Sequence, residues 1–227
     1  MFDSSLRYLI LLLLLVVGTT SVQAETINVT INGVVEFNQI TSGFLGNVNP
    51  GDAASILFDL DTNNFADNPN FPTRGYEIDL NSFELTFAGA TIGLQNPFPA
   101  GETPYFVIRD NDPAVDGFFI STDLDGPIGV PIDQPGVFGQ FENDFLVTYN
   151  GSTLSSLDIL DAIGSYDFTG LTVFNWTVND GPFQPMGMIF QDLTISRTAI
   201  PEPTCVIPLL CTSVFLLQRR RSNAISL

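Results

Sequence analysis

The sequence has no histidine and no lysine, and all seven of its basic residues are arginines. Both cysteines, Cys205 and Cys211, lie near the C-terminus, so residues 25–200 have none. These absences exclude whole classes of chemistry. Without an imidazole there is no Ser-His-Asp or Cys-His nucleophile system and no histidine-based zinc or copper site. Without lysine there is no Schiff base and no Ser-Lys dyad. No glycine-rich phosphate loop follows a strand and opens a helix. With no thiol in residues 25–200, no internal disulfide holds that stretch together, so a packed core must. The two tail cysteines, set in an apolar stretch, read as buried apolar thiols.

Positive charge is scarce as well. Every acidic residue except Asp3 and Glu202 falls within residues 25–200, against only Arg74, Arg109 and Arg197. The whole chain carries a net charge of −18. Nucleic acid is excluded as a partner, because binding it needs a cationic surface that displaces counterions. Divalent cations, basic partners or a saline medium suit such a surface, and acidity also keeps a secreted protein soluble.

Apolar material is plentiful. Twenty phenylalanines, with many Ile, Leu and Val, supply the core that a disordered acidic chain lacks. Residues 25–200 have the length of one domain. Their periodicity is two. Thr26 to Asn32 alternates polar with β-branched residues, and Gly33 bends the run toward Val34 to Phe37. Ser55 to Asp61, Tyr76 to Leu80, Phe83 to Phe87, Tyr105 to Arg109 and Gly117 to Thr122 read as strands too, as do Phe145 to Tyr149, Leu171 to Val178 and Met188 to Ile195. Clusters of Gly, Pro, Asn and Asp mark the turns between them, at Asn47 to Asp52, Asn68 to Pro72, Asn96 to Gly101 and Asp125 to Gly136. Ser155 to Ile163 alone has helical spacing, with Ser155 as cap. Strands without helical spacers pair antiparallel. The expected fold is therefore all-β, an antiparallel two-sheet sandwich or jelly-roll-like body with Trp176 packed between the sheets.

Two kinds of site are open to such a chain. A pair of carboxylates can hydrolyse glycosides, although nothing in the sequence singles out one pair. Calcium is the other. Asp59, Asp61, Asn63 and Asp67 resemble the oxygen-rich start of a calcium loop, but Asn64 stands where glycine is needed and Asn70 where a bidentate Glu belongs. Asp110, Asp112 and Asp116 form a second cluster, Asp123 and Asp125 a third. The same side chains equally serve to cap their own turns.

The two ends read as addresses. Arg7, the apolar run Leu9 to Val17 and the compact Val22-Gln23-Ala24 make a signal peptide over residues 1–24, cleaved after Ala24. At the other end, Pro201-Glu202-Pro203 is held extended and exposed by its prolines. The apolar run Thr204 to Leu217 would span about 21 Å as a helix, against a hydrocarbon core of about 30 Å. Arg219, Arg220 and Arg221 then hold the cytoplasmic side, ahead of a short tail over 222–227. Residues 25–199 are thus expected outside the cytoplasm, with 200–221 a sorting segment that passes through the inner membrane.

The order Pro-Glu-Pro, apolar run, arginine cluster resembles the PEP-CTERM sorting signals of bacteria. The resemblance implies an exosortase as processing partner, a transient inner-membrane stage, and delivery to the cell surface, outer membrane or extracellular polysaccharide. A second likeness concerns the body. Pro50-Gly51-Asp52, Leu57-Phe58-Asp59-Leu60-Asp61, Asn68-Pro69, Gly75-Tyr76, Ser82 to Phe87, and Asp110-Asn111-Asp112 before Asp116-Gly117-Phe118 are similar in order to the secreted β domain that recurs ahead of such tails. This implies fold and location only. The expected function is a non-enzymatic structural, adhesive or binding module at the cell surface or in the matrix. The alternative is a secreted carbohydrate-active enzyme.

Overall fold

The structure is a computed structural model that describes residues 25–181 and 185–198. Ala24, the Pro201-Glu202-Pro203 motif, Arg219 to Arg221 and the two apolar terminal segments lie outside the described residues.

Among the described residues, twelve strands carry the fold. They are β1 (Thr26–Asn38), β2 (Ala53–Asp67), β3 (Thr73–Ile78), β4 (Glu84–Phe87), β5 (Ala90–Ile92), β6 (Tyr105–Arg109), β7 (Val115–Ser121), β8 (Val130–Pro135), β9 (Gln140–Asn150), β10 (Gly164–Tyr166), β11 (Leu171–Asn179) and β12 (Met186–Arg197). Hydrogen bonding runs β1-β12-β11-β9-β7-β6-β3-β2 and returns to β1. This is a closed barrel of eight strands. Every named strand pair is antiparallel. The all-β, antiparallel expectation therefore holds, but one sheet closed on itself stands where two separate sheets were expected.

The barrel turns its corners by splitting strand edges. β2 pairs β1 along one edge, while its other edge pairs β4 over Ala54 to Leu57 and β3 from Leu60 onward. Asp59 sits at the hand-over, where the Ser82 hydroxyl accepts its N–H at 2.8 Å. β12 behaves alike. It meets β11 only at Met186 and Gly187, and β10 at Leu193 to Ile195. Phe168 lies over this second split, with its ring 5.9 Å from Phe190 and 6.2 Å from Phe174.

The interior is filled by rings. Phe58 stacks on Phe83 and meets Phe106, Phe106 stacks on Phe118, and Phe118 meets Tyr166 edge-on. Alternation explains the filling. On β1, Ile27, Val29 and Ile31 are fully buried, whereas the intervening Asn28, Thr30 and Asn32 face outward. Trp176 is in the core as expected, 1% exposed, edge-on to Phe145, with its indole N–H donated to Asn143 Oδ1 at 3.1 Å.

Three strands were not foreseen, namely β5, β8 and β10. The first and last are three residues long, too short to show a period. β8 carries Pro131 and Pro135, and pairs only β9 among the named strands, an edge position that tolerates proline. The helix expected at Ser155 to Ile163 is a series of turns. Side chains take the backbone groups that a helix would have used. Ser156 Oγ accepts the Asp158 N–H and Asp158 that of Leu160, while Asp116 holds the Leu154 N–H just ahead of the segment. The buried Tyr76 hydroxyl accepts the Ile159 N–H at 3.0 Å and donates to the Leu157 carbonyl at 3.1 Å.

Gly33 marks an irregularity in the β1–β12 register. A Cβ there would lie 2.5 Å from the Ile189 carbonyl oxygen and 2.7 Å from the Trp176 ring. Neither neighbour has room to retreat. Gly33→Ala is therefore expected to cost about 3 kcal/mol, the upper part of the overpacking range. Gly164→Ala, with nothing within 4 Å of its Cβ, should stay within about 0.5 kcal/mol. Urea unfolding of both variants checks the contrast.

Candidate functional site

The proposed calcium residues all fall on one strand. Asp59, Asp61, Asn63 and Asp67 lie along β2, where same-face neighbours stand about 6.6 Å apart and cannot close round one ion. Each has a separate arrangement. Asp59 Oδ1 accepts from Asn28 Nδ2 at 3.0 Å, and Asp61 Oδ1 from the Asn63 N–H at 2.8 Å. Asp67 holds Arg74 through two contacts, at 2.6 and 3.1 Å, and the guanidinium lies 4.1 Å over the Phe65 ring. The structure does not bring the four together. The reason is local: the loop expected there is strand.

The other acidic clusters work on turns. Asp116 is fully buried and accepts the N–H groups of Asn111 at 2.9 Å and Leu154 at 2.7 Å, which joins two loops. Asp123 Oδ1 accepts the Asp125 N–H, and Asp125 Oδ1 accepts from Asn68 Nδ2. Among the described residues, no group of three or more carboxylates is arranged to hold a metal ion.

A concave feature of the barrel lies elsewhere. The connections after β1, β5, β7, β8 and β11 gather at one end of the barrel, and those after β2, β6 and β9 at the other. Four segments at the first end enclose a cleft of about 540 Å³. Glu102 comes from the stretch before β6, Ile128 from that before β8, Phe138 and Glu142 from the β8–β9 hairpin, and Asn179 and Asp180 from the end of β11. Phe138 is 61% exposed and Ile128 is 56% exposed, so the rim offers apolar surface beside the acids.

Asp180 is the best-fixed of these acids. It is 5% exposed, and its Oδ2 accepts the Val137 N–H at 2.6 Å and the Phe138 N–H at 3.4 Å. Its Oδ1 is buried and has no hydrogen-bond partner. The site fits only because residue 136 is glycine, since a Cβ there would strike the Asp180 carboxylate. Gly129 plays the same part for Asp144, and adopts a φ of +79° that favours glycine. Asp144 Oδ1 is likewise buried without a partner. Burial pushes the Asp144 carboxyl above its ordinary range, against the opposing hydrogen bond from Asn179. Partial desolvation, then the charges of Asp144 and Glu102, push Glu142 upward as well.

Sequence reasoning missed this cleft. Glu102, Glu142 and Asp180 are far apart in the chain, and the sequence pattern singles out none of them. Asn179-Asp180-Gly181, directly after the strand that carries Trp176, was the signal to follow.

Comparison of the chain with protein-family models, with curated proteins and with solved structures finds no match.

A carboxyl raised in the folded state makes folding less favourable once it is ionised, and has no effect when it is protonated in both states. Glu142→Gln is therefore expected to raise the melting temperature at pH 7. The gain should shrink as pH falls through the raised value, and vanish below about pH 4, where the unfolded-state Glu is protonated too. Thermal melts of both proteins across pH 3.5–8 would measure it.

Proposed function

We propose that this is an exported surface module, held by one end of its barrel and binding extracellular polysaccharide in the cleft at the other. One observation carries the reading. The first and last described strands are neighbours: Ile27 pairs Arg197, the Thr198 N–H donates to the Thr26 carbonyl at 3.0 Å, and Arg197 meets Glu25 at 2.9 Å. Both termini of the described chain thus leave the barrel side by side, at the end opposite the cleft.

That layout suits a chain whose two ends are membrane-directed. A signal peptide ending at Ala24 and a sorting segment starting near Ile200 would lie on the same side of the body. Thr198 stands three positions before Pro201, a reach of at most about 10 Å. The barrel would sit close to the bilayer during processing by an exosortase at Pro201-Glu202-Pro203, with its cleft turned away. Side-chain amides and carboxylates next to exposed Phe138 suit sugar hydroxyls and the flat apolar faces of sugar rings. Clefts of this size accept small ligands or short oligomer segments, in the range of about 300–1,000 Å³. The role is binding, without chemistry.

The alternative is a carbohydrate-active enzyme. The feature in its favour is the upward shift of Glu142 beside Glu102 and Asp144, which is how a general acid is prepared next to a second carboxylate.

Expression in a bacterium with an exosortase tests the sorting part. The chain is expected at the cell surface with a new C-terminus near Pro201, read by mass spectrometry, and a Pro201→Ala/Pro203→Ala variant should remain full-length in the inner membrane. A full-length product in the cytosol would overturn export. Incubation with extracellular polysaccharide tests the rest. Retention that Phe138→Ala weakens, with no new reducing ends, is the expected result. New reducing ends that Glu142→Gln abolishes would establish the enzyme instead.

A further inference from the structure

We infer that the glycan taken by this cleft is cationic, an amino-sugar oligomer with free ammonium groups; the inference rests on the polysaccharide-binding reading above. The argument is one of missing counter-charge. Glu102, Glu142 and Asp180 line the cleft, with Asp144 beneath, and among the described residues no arginine lines it. The three arginines of the described body are committed elsewhere. Arg74 is held by Asp67, Arg197 by Glu25, and Arg109 donates to the Thr148 hydroxyl at 2.7 Å.

Asp180 turns this acidity into a site. A carboxylate 5% exposed, with one oxygen bonded to two N–H groups and the other buried without a partner, is costly unless a donor or cation reaches it. It lines the cleft, so the ligand is the available source of that donor. A single calcium ion fits poorly. It needs six to eight oxygens at about 2.3–2.6 Å, whereas these carboxylates arrive from separate segments and stand around the cleft. Ammonium groups repeated along an oligomer match that distribution. Uronate chains would meet like charge, and neutral glucans would leave the acids uncompensated.

A basic peptide also carries ammonium groups, but the lining favours a sugar. Gln95, Gln140 and Asn179 place side-chain amides among the acids, and Phe138 offers a ring face at the rim. Ring hydroxyls use the former, and the apolar face of a pyranose uses the latter.

Calorimetry on the full-length chain in detergent, at pH 6 and physiological salt, is the test. The probes are a glucosamine trisaccharide, its N-acetylated form, a glucose trisaccharide and trilysine. The glucosamine trimer is expected to bind about tenfold or more tighter than the others. Asp180→Asn and Glu142→Gln should each weaken it by a similar factor, and Glu84→Gln, on the exposed surface of β4, should not. If Asp180→Asn fails to fold, the exposed Glu142 decides.

Equal binding of the glucose trimer, lost in Phe138→Ala, would overturn the inference and leave the polysaccharide reading standing. Trilysine bound as tightly, with the same variant losses, would replace the sugar with a basic peptide. Weakening by Glu84→Gln of the same size would reduce the effect to diffuse attraction. No trisaccharide binding at all would remove both readings.

Discussion

The double pairing of β1, with β2 on one edge and β12 on the other, is the contact on which the rest of the structure depends. It joins the two ends of the described sequence and turns an open sheet into a ring. An open sheet would present a long row of unpaired backbone groups. With no cysteine in the body, the ring has no covalent clasp. Closure must be held by the ladder and by what fills it: the stacked phenylalanines inside, and Gly33, whose missing side chain lets Trp176 lie against the β1–β12 seam. The same ring fixes the polarity of the molecule, with both termini of the described chain at one mouth and the cleft at the other.

The surplus of carboxylates is accommodated by backbone more than by cations. Asp79, Asp123, Asp158 and Asp167 each accept an N–H two residues on, so the charge is spread over turn dipoles. For Asp167, the Thr169 groups hold the carboxyl below its ordinary range. Asp116 does the same work in the interior, across two loops. The acids around the cleft differ. Asp144 and Asp180 each retain a buried oxygen without a partner, and Glu142 is pushed upward by partial desolvation and then by its acidic neighbours. The contrast lies in the second oxygen of Asp144 and of Asp180, which no N–H group takes up.

Much of the architecture was legible because alternation is a local property. β6 was read at its observed bounds, and β1, β2, β9, β11 and β12 were found with their ends cut short, because tertiary pairing carries a strand past its alternating stretch. Barrel closure was not legible, since it depends on β2 and β12 dividing their edges between partners, and no residue pattern announces that. The apparent helix at Ser155 to Ile163 failed because Tyr76, distant in sequence, claims the Leu157 carbonyl and the Ile159 N–H. The oxygen-rich spacing from Asp59 to Asp67 failed for a related reason: continuous pairing with β1 up to Asp61, and with β3 from Phe65, keeps that stretch extended. The cleft was least accessible, being built from loops that only the folded chain brings together.

That the first strand needs the last has a kinetic side. β2 follows β1 closely in sequence, whereas the other edge of β1 must wait for residues near Arg197. Such sequence-distant pairing is slow. Throughout that interval the waiting edge belongs to a polyanion, which repels other copies of itself. The chain's acidity thus disfavours edge-to-edge association between copies in the interval before the ring exists.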